Sequence, residues 1–369
     1  MFEKQIACAA ALALAGTAAT AEDFVYGSWF GTNHSVNQMG LAPYFDLLRE
    51  RSDGEIDWEL VPGAQLASGP GTPEAVGMGL MDGGIAIAPY QPRMMPATNL
   101  IFSNALPGDD PLAAAGAMNE TVMLGCPECV EEYHETGAVG FGGYATTPYV
   151  FMCRNMIETA EDLKGLKVRS SGAGVNISTI AGATPVSMSP ADATQGMERG
   201  TLDCVLGAVS WLRSYGYMDV VESVVEEPMG MGGPPLLMFL NRDRWAAMTP
   251  EQRALHIELA PDLVAGATYD GQIEVDAGIV EAAKEAGVTF VPGNEGFAAL
   301  MATHDEQQRE INVRNATDAG VENPDEILDY FLAAYDKWQG LIAERGGDKA
   351  TFRDLLWEEV YSKVDPENL

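Results

Sequence analysis

The hydrophobic positions of this chain fall into short apolar runs that alternate with segments of helical periodicity. A first block predicts strands at 24–30, 56–60 and 83–88, with helices at 36–51 and 72–80 between them. A second block repeats this order, with strands at 166–168, 184–188 and 202–208 and helices at 175–181 and 190–199. Strands that alternate with helices pair in parallel through crossovers. The pattern therefore predicts an α/β fold with two such units.

Two extended segments separate these blocks. Segment 139–154 is rich in β-formers and glycine and is long for one strand, and 234–241 is a second apolar extended stretch. We expect them to cross between two lobes in opposite directions. The remainder, 249–364, is mostly helical, and Thr249-Pro-Glu-Gln252 begins a helix, with proline at its first position.

The amino terminus predicts export. Lys4 precedes an apolar run over 6–15, and the small residues Ala19-Thr-Ala21 suit a signal peptidase. This is typical of a signal peptide, residues 1–21, cleaved after Ala21, and it is too short for a membrane span. We expect a periplasmic protein without membrane insertion, because no later apolar stretch reaches the length of a transmembrane helix.

The net charge limits the possible partners, and the cysteines limit the possible disulfides. A formal net charge of −33 argues against nucleic acid or an anionic membrane surface as a partner. An anionic ligand would therefore need a locally positive site. Four cysteines follow the signal segment, and in an oxidising compartment they allow three complete pairings. These cysteines are Cys126, Cys129, Cys153 and Cys204.

Arg169 is the leading candidate for such a positive site. It directly follows the short strand predicted at 166–168 and precedes a turn that contains Gly172. Open α/β sheets bind ligands at strand ends of this kind. A guanidinium there is suited to a carboxylate, which it can hold through two parallel hydrogen bonds. The alternative is a surface arginine in a solvated ion pair.

Several motifs, in their order and spacing, resemble the solute-binding proteins of TRAP transporters, in the dicarboxylate-receptor (DctP) class. They are Val61-Pro-Gly-Ala-Gln-Leu66, Asp162-Leu-Lys-Gly-Leu-Lys-Val-Arg169, Gly182-Ala-Thr-Pro-Val-Ser-Met188, Met197-Glu-Arg-Gly-Thr-Leu-Asp203 and Asn241-Arg-Asp-Arg-Trp245. The resemblance implies a two-lobed periplasmic binding protein, a clamshell with hinge-crossing strands and a helical C-terminal region. It implies a binding protein without catalysis that delivers an organic acid to membrane permease subunits. We expect no cofactor and no metal site, because the four histidines have no zinc-type spacing.

The resemblance also implies particular boundaries and contacts. We expect lobe I to contain 22–145 and about 236–275, and lobe II to contain 146–235 and about 276–369. A helix over 250–285 should brace both lobes, and Arg169 should bind the ligand carboxylate. The family often has an asparagine a few residues after the position of Asp203, but this chain has Gly207 there and Trp211 soon after. That departure predicts a site that is less polar than is usual in the family and roomier near Gly207. Such a site favours a monocarboxylate with an apolar or aromatic body over a C4-dicarboxylate.

Further ligand contacts are expected after other strands and in the crossing segment. Asn33 either contacts the ligand or caps a helix, and Gln65 either contacts the ligand or stabilises its own turn. Tyr149 is expected to have a structural role. The remaining candidates for contact are Trp29, His34, Tyr90 and Tyr144.

Two other functions stay open. Cys126 and Cys129 have the spacing of a thiol oxidoreductase, but they follow the apolar helix-like run 113–124 instead of preceding a helix, which favours a structural disulfide or turn. Alternatively, the clamshell passes its closure to a sensor kinase or a chemoreceptor instead of a permease.

Overall fold

The computed structural model describes residues 22–233 and 236–369. The predicted signal peptide and its cleavage site after Ala21 lie outside the described residues. The described chain forms two mixed sheets with helices on their faces, as the α/β pattern predicts. The strands are β1 (Glu22–Gly27), β2 (Ile56–Val61), β3 (Gly83–Ala86), β4 (Ala138–Phe141), β5 (Val150–Cys153), β6 (Lys167–Arg169), β7 (Thr184–Val186), β8 (Cys204–Gly207), β9 (Ser223–Val225), β10 (Leu236–Asn241) and β11 (Thr289–Val291).

The two sheets define two lobes. The first sheet has the order β2-β1-β3-β10-β4, in which β1 runs parallel to β2 and β3, and β10 is antiparallel to both neighbours. The second sheet has the order β11-β9-β5-β8-β6-β7, in which β6 runs parallel to β7 and β8, and β5 is antiparallel to both neighbours. The single antiparallel strand in each sheet follows a crossing between the lobes.

Helices cover both sheets. They are α1 (Ala42–Arg51), α2 (Thr72–Gly77), α3 (Pro96–Phe102), α4 (Pro111–Glu120), α5 (Pro127–Glu135), α6 (Ala173–Ile180), α7 (Pro190–Glu198), α8 (Trp211–Ser214), α9 (Arg242–Ala247), α10 (Pro250–Ala265), α11 (Val275–Glu285), α12 (Glu295–Asp318), α13 (Pro324–Arg345) and α14 (Lys349–Glu359). Proline at the first or second position and a side-chain N-cap begin several of them, as at Ser189 before α7 and Thr249 before α10. π-Helical turns at Asn37–Leu41, Thr121–Gly125 and Gly266–Glu274 adjoin α1, α4 and α10.

Two chain segments cross side by side between the lobes. The first, 142–149, joins β4 to β5, and the second leaves β9 and returns to β10. They are hydrogen-bonded to each other, because Tyr149 N donates to Gly230 O at 2.9 Å and Met229 N donates to Tyr149 O at 2.8 Å. Thr146 N donates to Gly232 O at 2.7 Å. The extended region predicted at 139–154 is therefore two strands with a crossing between them.

A third connection is helical, as expected for 250–285. The helix α10, the π-helical turn Gly266–Glu274 and α11 follow one another without a break. Leu263 of α10 belongs to the core of lobe I, whereas Ile279 and Ala283 of α11 belong to the core of lobe II. We call this element the hinge helix.

Two C-terminal helices, α13 and α14, belong to a different lobe from the one predicted. We expected 276–369 to lie in lobe II, but α13 and α14 bury their apolar faces in the core of lobe I. Trp338 of α13 lies against Gly116 of α4, where a β-carbon would come within 2.2 Å of the indole. Its Nε1 donates to Glu120 Oε2 at 2.7 Å. This part of the prediction is wrong because helical periodicity shows which face is buried, not against which core.

The disulfides select one of the three possible pairings. Cys153 and Cys204 face each other across the antiparallel strands β5 and β8 and are bonded, and Cys126 is bonded to Cys129. Cys126 is the N-cap of α5, so the pair does precede a helix, contrary to our expectation. Within residues 22–233 and 236–369, none of the helices combines the length and the apolar character needed to cross a membrane.

Candidate functional site

The carboxyl ends of four strands from the two lobes converge on one small cavity. Trp29 follows β1 and Tyr90 follows β3 in lobe I, while Arg169 ends β6 and Trp211 follows β8 in lobe II. Ligands of open α/β sheets bind at such strand ends, because the loops that leave the sheet there splay apart. The fold therefore places residues that are distant in sequence around one site.

Arg169 is the charged centre of this cavity. Its side chain is almost fully buried, with 1% of its surface exposed. Nε donates to Met188 O at 2.9 Å, and Nη2 donates to the Tyr90 hydroxyl at 3.3 Å across the two lobes. The guanidinium carbon lies 5.3 Å from the centre of the Trp211 ring, a cation–π distance. These contacts aim the planar fork into the cavity and fix its orientation.

The guanidinium is not neutralised. Its Nη1 is buried and makes no hydrogen bond in the part of the chain that the structure describes. No ion pair joins Arg169 to a carboxylate among the same residues. A buried charge that lacks a counterion costs several kcal/mol, so this group is ready to accept an anion.

Aromatic side chains from both lobes surround the charge. Trp29 meets Tyr90 with ring centroids 5.9 Å apart, and Trp211 meets Tyr149 at 5.4 Å and Tyr215 at 5.6 Å. The void they enclose measures about 20 Å³, room for one water and far below the ~300 Å³ or more of a typical ligand pocket. The lining residues are Trp29, Phe30, Ile87, Tyr90, Phe102, Tyr144, Tyr149, Arg169, Ser171, Pro190, Trp211 and Tyr215. The lobes are thus closed over the site.

The tyrosine hydroxyls of the site remain neutral donors. Burial raises the pKa of Tyr90, and the nearby Arg169 charge offsets part of that shift. Burial raises the pKa of Tyr149 to about 12, again with Arg169 acting in the opposite direction. Burial also raises the pKa of Tyr144 and Tyr215 well above its usual range. The wall is therefore uncharged at neutral pH, apart from Arg169.

Five of the residues predicted from sequence come together here: Trp29, Tyr90, Tyr144, Arg169 and Trp211. Gly207 lies beneath the site, but the room that we expected it to leave for a ligand is filled. A β-carbon at Gly207 would lie 2.1 Å from the Trp211 ring carbons. The absence of a side chain at Gly207 therefore makes room for the Trp211 indole and not for a ligand.

The other three predicted residues lie outside the lining. Asn33 is exposed in the turn before the first helical segment and does not cap it, and exposed Gln65 donates to Pro62 O at 2.9 Å within its own turn. His34 is buried directly behind the aromatic wall. Its ring centroid lies 3.9 Å from that of Phe30, on which it stacks, and 5.3 Å from that of Tyr215. Burial lowers the pKa of His34 to about 3. Its imidazole is therefore neutral.

Sequence reasoning missed several lining residues. Tyr149 was read as structural, yet it faces the cavity from the first crossing segment. Ser171 lies two residues after Arg169, and Phe30 directly follows Trp29. Their positions just after β6 and β1 could therefore have indicated both as lining residues. Phe102 and Tyr215 gave no such signal, because α3 and the end of α8 reach the site only through tertiary packing.

Larger hollows lie elsewhere on the surface. One of about 250 Å³ lies between α3 and α12, and one of about 450 Å³ lies between α10 and α14. Neither joins the two lobes' strand ends around a buried, unpaired charge. The small central cavity is therefore the candidate functional site.

Comparison with known proteins identifies the family of this chain. Residues 29–312 match the family "Bacterial extracellular solute-binding protein, family 7", DctP. A curated relative is the 2,3-diketo-L-gulonate-binding periplasmic protein YiaO of Escherichia coli, 25% identical over 298 residues, which are 76% of this chain and 86% of that protein.

Solved structures show the same fold. A marine metagenome TRAP solute-binding protein specific for aromatic acid ligands, in complex with metahydroxyphenylacetate, has a TM-score of 0.75 and 20% identity, covering 86% of this chain and 99% of that one. A TRAP periplasmic solute-binding protein from Bordetella bronchiseptica with bound (R)- and (S)-mandelate has a TM-score of 0.70 and 20% identity, over the same shares of the two chains.

This chain belongs to the family 7 bacterial extracellular solute-binding proteins. The resemblance to the DctP class and the two-lobed fold are thereby confirmed, and the protein is a binding receptor and not an enzyme. A periplasmic location agrees with the family and with the curated relative. The thiol oxidoreductase alternative is not favoured, because Cys126 and Cys129 are disulfide-bonded with at most 1% of their surface exposed.

Proposed function

We propose that this receptor binds an organic monocarboxylate with an aromatic or apolar body and delivers it to the membrane subunits of a TRAP permease. The observation that carries the proposal is the buried, unpaired Nη1 of Arg169 inside an aromatic cage. The ligand carboxylate would bind this nitrogen and supply the missing negative charge. A planar ring would then occupy the space between the indole and phenol walls.

The lining favours one carboxylate over two. Arg169 is the one cation among the described lining residues, and the rest of the wall is neutral. A second carboxylate would be desolvated there without a counterion, which costs several kcal/mol. The C4-dicarboxylate alternative is therefore the weaker one. The buried, neutral hydroxyl of Tyr90 suits a hydroxyl or carbonyl elsewhere on the ligand.

Delivery would depend on closure of the two lobes. Because the ligand would contact Trp29 and Tyr90 in lobe I and Arg169 and Trp211 in lobe II, binding stabilises the closed arrangement. The cavity of about 20 Å³ has no room for an aromatic acid, so the lobes must part for entry and then close less tightly around the ligand than they do here. The closed form would present a surface made of both lobes to the permease. A sensor kinase or chemoreceptor remains the alternative recipient.

A ligand panel tests the chemical class. Thermal unfolding of the exported protein would be measured with 3-hydroxybenzoate and mandelate, and separately with glucuronate, succinate, malate and fumarate. We expect the aromatic acids to raise the unfolding temperature most. A response confined to the C4-dicarboxylates or to glucuronate would contradict the aromatic assignment.

Replacement of the arginine tests the anchor. Arg169→Met should weaken binding of 3-hydroxybenzoate by about 2–5 kcal/mol, roughly 30-fold or more, because the carboxylate loses its desolvated charge partner. The ligand-free variant should unfold at an equal or higher temperature, since an uncompensated buried charge is removed. Arg199→Met is the control: this arginine lies exposed at the end of α7 and contacts Gln195. Equal calorimetric affinities of the two variants would remove Arg169 from the site.

A further inference from the structure

A second small cavity adjoins the binding site, next to the second crossing segment. It measures about 20 Å³, and it too lies between the lobes. Lobe I contributes Phe102 to its lining, lobe II contributes Ala173 and Gly174, and the second crossing segment contributes residues 229–232. We call the cavity around Arg169 the first chamber and this cavity the second chamber.

Two aromatic side chains, one from each lobe, lie between the chambers. Phe102 and Tyr149 line both chambers, together with Ser171. Phe102 is the last residue of α3 and belongs to the core of lobe I, whereas Tyr149 packs against the core of lobe II. Phe102 reaches lobe II at Gly172, where a β-carbon would lie 2.9 Å from its ring. The partition between the chambers is therefore itself a contact between the lobes.

A ligand that holds the lobes slightly apart would join the two chambers. The first chamber has no room for an aromatic acid, so the lobes close less tightly around a ligand than they do here. Phe102 then withdraws with lobe I. Tyr149 stays in place, because main-chain hydrogen bonds of 2.9 and 2.8 Å tie it to Gly230 and Met229. A ring with a void on either side is displaced more easily than a side chain in a packed core, so the partition is where the cavity can grow.

The walls of the second chamber suit an uncharged, apolar group. None of the described residues that line it carries a charge. Met229 and Met231 are among them, and methionine side chains are flexible and polarizable and adapt to irregular shapes. Gly232 is buried, yet no described atom lies within 4 Å of a β-carbon built on it, so the open space beside it belongs to the chamber. A carboxylate placed there would be desolvated without a partner, whereas a ring or methylene group would not.

We propose that the second chamber is a subsite for the far end of the ligand, and that the ligand is an arylalkanoate, in which a short carbon chain separates the ring from the carboxylate. This rests on the proposed function, in which Arg169 binds the carboxylate in the first chamber. A benzoate keeps its ring beside the guanidinium. A chain of two carbons carries the ring to the partition, where it can pack between Phe102 and Tyr149 with its far edge in the second chamber.

Calorimetry with two matched acids tests the subsite. The acids are 3-hydroxybenzoate and 3-(3-hydroxyphenyl)propanoate, which have the same ring and hydroxyl and differ by two methylene groups. The native chain should bind the longer acid about tenfold more tightly, because two more methylene groups leave water. Equal affinities, or tighter binding of the shorter acid, would overturn the proposal.

Variants that fill the second chamber distinguish it from the first. Gly232 has no left-handed φ, so Gly232→Val fills the chamber without backbone strain. Its affinity for the longer acid should fall about tenfold, and its affinity for 3-hydroxybenzoate should stay within about twofold of the native value. Ala173→Leu fills the same chamber from α6 and decides the matter if Gly232→Val does not fold. Gly278→Val, at an exposed position of α11, is the control and should change neither affinity.

The two acids also separate this inference from the proposed function. If 3-hydroxybenzoate binds but the chamber-filling variants weaken both acids equally, or weaken neither, the subsite is wrong and the role of Arg169 stands. If neither acid binds the native chain, the proposed function is wrong and the subsite falls with it.

Discussion

Gly207 determines where Trp211 lies. A side chain there would occupy the position of the indole, since its β-carbon would lie 2.1 Å from the ring. With only hydrogen at this position, the Trp211 ring packs against β8 and covers the guanidinium of Arg169. A side chain at position 207 and the indole of Trp211 cannot share this space.

Gly207→Ala should therefore weaken ligand binding without preventing folding. The added methyl group forces the indole away from Arg169, and overpacking of this kind costs about 1–3 kcal/mol. We expect a roughly 5- to 160-fold loss of affinity for 3-hydroxybenzoate by calorimetry. Gly278→Ala is the matched control, because nothing lies within 4 Å of a β-carbon at that helix position. Unchanged affinity in Gly207→Ala would show that the ring position does not matter for binding.

For single residues of the site, the sequence predicts those that follow strands but not those that reach the cavity through the packing of helices. Arg169 and Trp211 were predictable because the alternation that ends at Val168 and the apolar run of β8 both indicate strands, and ligand contacts gather at strand ends. Phe102 and Tyr215 were not, since their approach to the site depends on how α3 and α8 pack. Asn33 and Gln65 fit the rule by position, yet their turns point them to solvent. Whether any of these side chains binds ligand stays a prediction.

Among the secondary-structure elements, β5 and β8 carry the lobe II side of the site. Tyr149 precedes β5, Trp211 follows β8, and the Cys153–Cys204 disulfide joins the two strands at directly opposed positions. The bond closes a loop with a sequence separation of 51 residues, whereas that of Cys126–Cys129 spans 3. Chain-entropy arguments give the longer loop the larger stabilising effect.

Removal of the two disulfides should therefore have unequal effects. The double change Cys153→Ala and Cys204→Ala should lower the free energy of unfolding by about 4 kcal/mol, and the double change Cys126→Ala and Cys129→Ala by about 1.5 kcal/mol. Urea unfolding of both variants and of the native chain measures the difference. An equal loss in both variants, or a larger loss at the short loop, would contradict this reasoning.

The type of each secondary-structure element was easier to predict than the elements against which it packs. The hinge helix was expected over 250–285 and is found there: the Thr249 cap is a local signal for its start, and its passage through both lobes was implied by the family resemblance. The attachment of α13 and α14 to lobe I was not predicted, because it depends on non-local contacts such as Trp338 on Gly116. The strand patterns likewise predicted two α/β units but not the order of strands in either sheet.

For the whole molecule, the central feature is the buried, unpaired cation of Arg169 inside a strongly acidic protein. The formal net charge is −33, and Arg169 is shielded from the acidic surface by two lobes and a cage of rings. Surface carboxylates repel an anion at long range, so affinity must come from short-range contacts in the closed cavity. Two crossing segments and the hinge helix join the lobes, which suits a hinge that opens and closes around that cavity.

The most direct measurement compares an acid with its neutral amide. The native protein would be titrated calorimetrically at pH 7 with 3-hydroxybenzoate and with 3-hydroxybenzamide, which have the same ring and hydroxyl but differ in charge. If Arg169 awaits a carboxylate, the acid should bind about 30-fold or more tightly than the amide, a difference of about 2 kcal/mol or more. Equal affinities for the two compounds, or no binding of the acid, would contradict the account.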